Sequence, residues 1–213
     1  MRYLFLSAVF AVCAFAVSVP DKALYLEGSS NQGIILAHGK GMYPDFKVVK
    51  PLRTALNEDL GFYTLSLQMP IGHENYEAYE AEQPKVDAMI DQAIAFLKAQ
   101  GVEDIYLMGH SLGAGMTSGY LVSHPKADIK GFIVVGCRGN KSKIISCSDN
   151  MPKITVDVLD IWGDASDEDK GFAMKRKALV GKHYKQYGIP GANHVLDGSV
   201  EFFVDEVENW LER

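Results

Sequence analysis

The chain has 213 residues, 47% of them hydrophobic and 23% charged, with 20 Gly and 8 Pro. Those proportions are near globular averages and exclude a collagen-like chain, a disordered one and a polytopic membrane protein. At about 100 to 200 residues per domain the length calls for one domain with a substantial core, and 21 Lys plus Arg against 27 Asp plus Glu, net charge -6, with no dense basic run, excludes nucleic acid as a partner.

Met1 and Arg2 precede an uncharged stretch from Tyr3 to Val19, after which Pro20, Asp21 and Lys22 restore polarity. A cationic start, an apolar middle and small residues at Ala14, Ala16 and Ser18 are the parts of a secretory signal peptide. Residues 1–18 are therefore expected to be a leader and 19–213 the mature domain, in the periplasm or outside the cell. A buried first strand and a retained anchor are the alternatives. Cleavage leaves Cys137 and Cys147 as the only cysteines. In an oxidising compartment they are expected to pair and close the polar loop 138–146; two unpaired thiols are the other reading.

From residue 33 onward short apolar runs alternate with segments of helical period, the pattern of an α/β domain with a mostly parallel sheet. Gly33 to His38 reads as a buried strand stopped by Gly39. Val49, Leu52, Leu56 and Leu60 form a helical stripe ended by Gly61, with Pro51 marking a kink or a late start. Phe62 to Leu67 is a second strand. A helix starts near Pro84 and turns Val86, Met89, Ile90, Ala93, Ile94 and Leu97 to one face. Asp104 to Gly109 is a strand, and Ser111 to Ser123 a helix whose small residues allow close approach to the sheet. Ile129 to Val135 and Ile154 to Ile161 are strands, Asp167 to Leu179 a helix, and Tyr184 to Ile189 a weaker strand. A last helix opens at Ser199 with Phe203, Val207 and Leu211 inward.

Gly109-His110-Ser111-Leu112-Gly113 lies between a strand and a helix, the context that the pattern G-x-S-x-G requires. The glycines let the backbone turn sharply, so that the Ser111 hydroxyl projects above the sheet as a nucleophile. A serine hydroxyl is weak at neutral pH and needs a base, which itself needs an orienting group. Of six histidines, His194 combines a loop after the last strand, small neighbours Gly191 and Ala192, and a position after both Ser111 and the acidic loop. The acid must come from Trp162 to Asp169, where Asp164 and Asp167 sit on a loop able to return toward His194, while Asp160 belongs to the strand. No phosphate-binding glycine loop occurs.

Three segments, Gly33 to Gly39, Gly109 to Gly113 and Gly191 to His194, in that order, resemble the α/β-hydrolase superfamily over about residues 30 to 213. Pro51-Leu52-Arg53 and Leu65 to Pro70 resemble a small bacterial branch of it. The resemblance implies a mostly parallel central sheet with helices on both faces and no large cap. It matches Ser111 to the nucleophile, His194 to the general base, and the backbone N–H groups of Leu112 and Lys40 to the oxyanion donors, with Gly41 as substitute for Lys40. The usual place of the acid is Ser166 here, which makes Asp167 the first choice and Asp164 the reserve. The expected activity is a serine hydrolase acting on an ester or related acyl bond, of the carboxylesterase kind, with thioesterase, peptidase and acyltransferase activity as variants. It needs no metal and no organic cofactor, and its partner is a small-molecule or polymeric acyl substrate. The site is expected to be open and bordered by Met42, Tyr43, His73, Tyr76 and Tyr79. A non-catalytic binding or envelope-scaffolding member of the fold is the alternative, motivated by Ser166.

Overall fold

The computed structural model describes residues 17–213. The expected leader therefore lies outside the described residues apart from Val17 and Ser18, whose backbone carbonyl at Ser18 accepts from Gln92 Nε2 at 3.0 Å. Among the described residues no helix is long and apolar enough to cross a membrane.

Among the described residues seven strands form one sheet: β1 (Leu24–Leu26), β2 (Gln32–Ala37), β3 (Tyr63–Leu67), β4 (Asp104–His110), β5 (Gly131–Val135), β6 (Asp157–Gly163) and β7 (Tyr184–Ile189). Their order is β1-β3-β2-β4-β5-β6-β7. Only β1, on the edge, runs antiparallel; β2 to β7 are mutually parallel. The helices are α1 (Val49–Leu60), α2 (Tyr76–Glu80), α3 (Gln83–Ala99), α4 (Leu112–Ser123), α5 (Cys147–Asn150), α6 (Asp167–Lys175) and α7 (Val200–Leu211).

Alternation along each strand sends neighbouring side chains to opposite faces, which builds two cores. Ile35, Ala37, Leu107, Phe132 and Val134 pack with Val86, Ile90 and Leu97 of α3 and with Leu112, Ala114 and Met116 of α4. Ile34, Leu36, Met108, Ile133, Val135 and Ile161 pack with Leu52 and Leu56 of α1 and Phe203 and Val207 of α7. With both faces covered, strands β2, β4 and β5 read as continuous apolar runs, as parallel strands do.

Pro51 falls in the first turn of α1, where the backbone N–H has no helical partner to lose, so it neither kinks nor delays the helix. Gly61 ends α1 at φ +66°. The sixth strand starts at Asp157 rather than Ile154, because Met151–Lys153 forms a 3-10 turn around Pro152; Ile154 and Val156 still pack on the core from outside the sheet. Two elements had no sequence signal. Strand β1 has three residues, too few to display an alternation, and α2 has five, started by Asn75, whose side chain accepts from the Ala78 N–H.

Beneath β6 lies a fully satisfied buried ion pair. Arg176 donates to both oxygens of Asp160 at 2.9 and 3.0 Å, to the Cys137 carbonyl and to Ser148, while Tyr184 and Gln186 complete the shell of Asp160. Burial beside Asp160 drives the Tyr184 phenol up, so the hydroxyl stays a donor.

Candidate active site

Strand order reverses between β2 and β4: the chain passes from β2 outward to β3, then returns to the other side of β2 and continues through β4 to β7. The crevice beyond the carboxyl ends at such a switch is where open α/β sheets place their ligands. The turn after β2 and the turn after β4 meet there.

Ser111 stands between β4 and α4 at φ +54°, ψ -115°, a conformation that L-residues avoid at a cost of about 1 to 3 kcal/mol. The surrounding packing imposes it. A Cβ at Gly109 would meet Thr117 Oγ1 at 2.4 Å and the Ala114 N at 2.7 Å, and one at Gly113 would meet the Ala37 carbonyl oxygen at 2.3 Å. The start of α4 is thus pressed against β2 and β4, and the turn between them has no room to relax. The Ser111 N–H donates to the Val135 carbonyl at 2.9 Å, and the residue is half-buried at the carboxyl end of the sheet.

His194 Nε2 lies 2.9 Å from Ser111 Oγ, and its Nδ1 lies 2.8 Å from Asp169 Oδ2. A carboxylate partner requires the proton on Nδ1, so the Nε2 lone pair faces the serine hydroxyl. The loop that carries His194 is held from below by His110, fully buried, whose Nε2 lies 3.0 Å from the His194 carbonyl and therefore donates to it. Burial, and next the neighbouring His194, lower the His110 pKa to about 4, so this ring stays neutral. Gly136, at φ +61°, faces the other side of the imidazole: a Cβ there would stand 2.7 Å from His194 Cε1.

The carboxylate beside His194 belongs to neither Asp167 nor Asp164, the two that the sequence put forward. Asp167 is the first residue of α6 and is exposed. Asp164 is occupied elsewhere, its Oδ1 accepting from the Gly191 N–H at 2.6 Å. Asp169 occupies the place beside His194 because Ser166 caps α6, accepting from the Asp169 N–H, and the helix then turns its third residue inward. Asp169, Ala173 and Arg176 are all buried, at i, i+4 and i+7, one helical face. That spacing was the available signal: a helix starting at Asp167 puts residues 169 and 173 on the same side. Ser-x-x-acid is also a helix-start pattern, here with the carboxylate turned to His194 and Arg138 instead of back to the cap.

Arg138 completes the anchor of Asp169. Its Nε donates to Asp169 Oδ1 at 2.5 Å, its second nitrogen reaches Glu168, and its third lies 3.3 Å from Ser166 Oγ. Burial raises the Asp169 pKa, but the hydrogen bonds from His194 and Arg138 outweigh it and bring the carboxyl down to about 2. Nothing in the local sequence announces Arg138; it follows Cys137 on the loop after β5.

On the opposite side of Ser111, Gly39 to Met42 form a tight turn closed by the Met42 N–H on the Gly39 carbonyl at 3.2 Å, with Gly41 at φ +69°. Among the described residues no carbonyl accepts from the N–H of Lys40, Gly41 or Leu112, so all three remain available to an incoming oxygen. The turn passes close to the serine, since a Cβ at Gly39 would lie 3.2 Å from Ser111 Cβ. His38 fixes it from inside: Met69 N–H donates to His38 Nε2 at 3.0 Å, and the opposite nitrogen donates to the Gly39 carbonyl at 2.9 Å. Burial lowers the His38 pKa, keeping this neutral tautomer.

Cys137 and Cys147 form a disulfide with Cα atoms 5.4 Å apart. The loop it closes forms part of a cavity of about 120 Å³ at Ser111, lined also by Tyr76, Gly115, Gly136 and Glu168. Of the side chains expected to border the site, Tyr76 does so, whereas Tyr79 is buried and stacks edge-on with His73, and Tyr43 stacks on Phe46. A larger open groove of about 470 Å³ between α1 and α7 is not lined by Ser111, His194 or Asp169.

Sheet order and helices on both faces give this chain an α/β-hydrolase fold, with the serine turn at the switch point. Residues 72–213 match the family described as protein of unknown function (DUF3530), and the chain belongs to that family. Among solved structures, it is similar to the ferulic-acid complex of Est1E from Butyrivibrio proteoclasticus, at 18% identity over 93% of this chain and 98% of that one, TM-score 0.69. It is also similar to dienelactone hydrolase from Anabaena variabilis, at 16% identity over 93% and 95%, TM-score 0.70, and to a monoacylglycerol lipase from Paleococcus ferrophilus, at 17% over 89% and 97%, TM-score 0.64. Identities this low carry the fold alone. Among curated proteins no sequence matches significantly.

Proposed function

We propose that this protein is a serine hydrolase that cleaves an ester or related acyl bond through an acyl-enzyme. The observation that carries the reading is the unbroken hydrogen-bonded series Ser111 Oγ, His194, Asp169, brought together by the turn after β4, the loop after β7 and the first turn of α6. His194 Nε2 takes the hydroxyl proton as Oγ attacks the substrate carbonyl carbon, and the N–H groups of Leu112 and Lys40 receive the negative oxygen. His194 then returns the proton to the leaving alcohol as the carbon–oxygen bond breaks. Water, deprotonated by the same nitrogen, releases the acid and restores Ser111. Asp169 keeps the imidazole in the required tautomer and balances its charge while it holds the proton.

The departure at Ser166 that motivated a non-catalytic reading loses its force once Asp169 stands on His194. The Cys137–Cys147 disulfide supports placing the protein in an oxidising compartment, periplasmic or secreted. The test is labelling by a fluorophosphonate probe with mass-spectrometric mapping: the native protein is labelled on Ser111, and Ser111→Ala is not. Undiminished labelling of the folded Ser111→Ala variant would exclude Ser111 as the nucleophile.

A further inference from the structure

We infer that the cavity beside Ser111 is an acyl pocket of fixed size that admits short, uncharged acyl groups, about acetyl to butyryl, and that Tyr76 sets its limit; this rests on the serine hydrolase reading above. The leaving group must depart within reach of His194 Nε2, which protonates it. The cavity is lined by Ser111 but not by His194. It therefore takes the group that stays bound to Ser111 after the alcohol has left.

Its volume of about 120 Å³ holds about four non-hydrogen atoms, if each takes about the 30 Å³ that a water molecule occupies in the liquid. A butyryl group adds three carbons beyond its carbonyl and fits. An octanoyl chain adds seven and does not.

The wall is poorly placed to yield. Gly115 is pressed on the loop, where a Cβ would stand 2.5 Å from the Ile145 carbonyl oxygen, and a Cβ at Gly139 would stand 2.7 Å from the Phe172 ring. Asn140 Nδ2 donates to the Ile145 carbonyl at 3.0 Å, the Asn140 N–H to Ser146 Oγ at 3.2 Å, and Ser142 is bonded to Glu80 of α2. The disulfide joins the two ends of this segment. Tyr76 is the exception: it is half-buried at the first turn of α2, on a segment outside the disulfide-closed loop.

Charge narrows the class further. Arg138 already donates to Asp169, Glu168 and Ser166, so two carboxylates offset its charge before any carboxylate on the acyl group arrives. Together Arg138, Asp169 and Glu168 are net negative, which disfavours succinyl-like substrates.

The experiment is the p-nitrophenyl ester series acetate, butyrate, hexanoate and octanoate on the native protein, Tyr76→Ala and Tyr76→Trp, beside fluorophosphonate labelling. The native kcat/KM for octanoate is expected to fall below that for acetate by about a hundredfold, within the range that one or two misfitting methylenes cost. Tyr76→Ala raises the octanoate-to-acetate ratio at least about tenfold; should that variant fail to fold, Tyr76→Trp lowers the butyrate-to-acetate ratio instead. A native profile flat or rising to octanoate, with Ser111 labelled, overturns the acyl pocket and leaves the nucleophile standing. Ratios unmoved by folded Tyr76 variants overturn the assignment of Tyr76. Absence of both labelling and turnover of every ester overturns the hydrolase reading and this inference with it.

Discussion

Asp169 has two carboxylate oxygens and a different partner on each, His194 on Oδ2 and Arg138 on Oδ1. The arrangement orients the carboxylate as well as charging it, because rotation about the Cβ–Cγ bond would break both contacts. Asp169→Asn keeps the shape but offers an N–H where His194 needs an acceptor, and is expected to lower kcat by about ten-thousandfold, as loss of the correct tautomer does. Asp167→Asn changes an exposed helix-start residue and should stay within about twofold, surface changes typically costing at most about half a kcal/mol. Steady-state rates on p-nitrophenyl acetate separate them. A loss in Asp167→Asn equal to that in Asp169→Asn would return the acid to residue 167.

At the scale of elements, the loop after β5 is held near the site by a disulfide and by the hydrogen bonds of Asn140 and Ser142. It carries Arg138 and the cavity wall, and the Cys137–Cys147 bridge spans 10 positions of sequence. A cross-link over so short a loop stabilises by about 2 to 3 kcal/mol, chiefly by restricting the unfolded chain. The double variant Cys137→Ala, Cys147→Ala should lose about that much in urea unfolding, and the native protein under reductant should lose the same. An unchanged midpoint in both would mean that the hydrogen bonds of Asn140 and Ser142 hold the loop by themselves. The bridge also sits against the buried ion pair, since the Cys137 carbonyl accepts from Arg176, so β5, β6 and α6 are joined at one point below the site.

Over the whole molecule, acid stability follows from the buried groups of the site. The folded pKa of His110, about 4, lies below the unfolded value near 6.5. Between those two values the unfolded chain holds a proton that the native protein does not, so stability rises with pH there. The contribution of neutral His110 is complete above about 6.5 and lost as pH falls through about 4. Burial lowers His38 in the same direction. Asp169, held at about 2, contributes stability that is complete above the unfolded carboxyl value near 3.9 and lost as pH falls toward about 2. Urea midpoints should therefore decline from about pH 6.5 downward, well before the carboxylates titrate. In His110→Asn the upper part of that decline should flatten, and an unaltered slope between pH 4 and 6.5 would remove His110 as its source.

What could be read along the chain was whatever leaves a local periodic or punctuating mark. The apolar runs of β2 and β4, the stripe of α3, and Gly109 and Gly113 around Ser111 are set by steric rules that act over a few residues, and they determined the fold class and the position of the serine turn. What the tertiary structure decided was every pairing across long separations. His194 meets a serine 83 positions away and an aspartate 25 positions away, and Arg138 reaches Asp169 across 31. Three acidic residues, Asp164, Asp167 and Asp169, are nearly equivalent in composition and neighbourhood. Only the phase of α6 against the sheet turns Asp169 inward, and that phase is decided by packing.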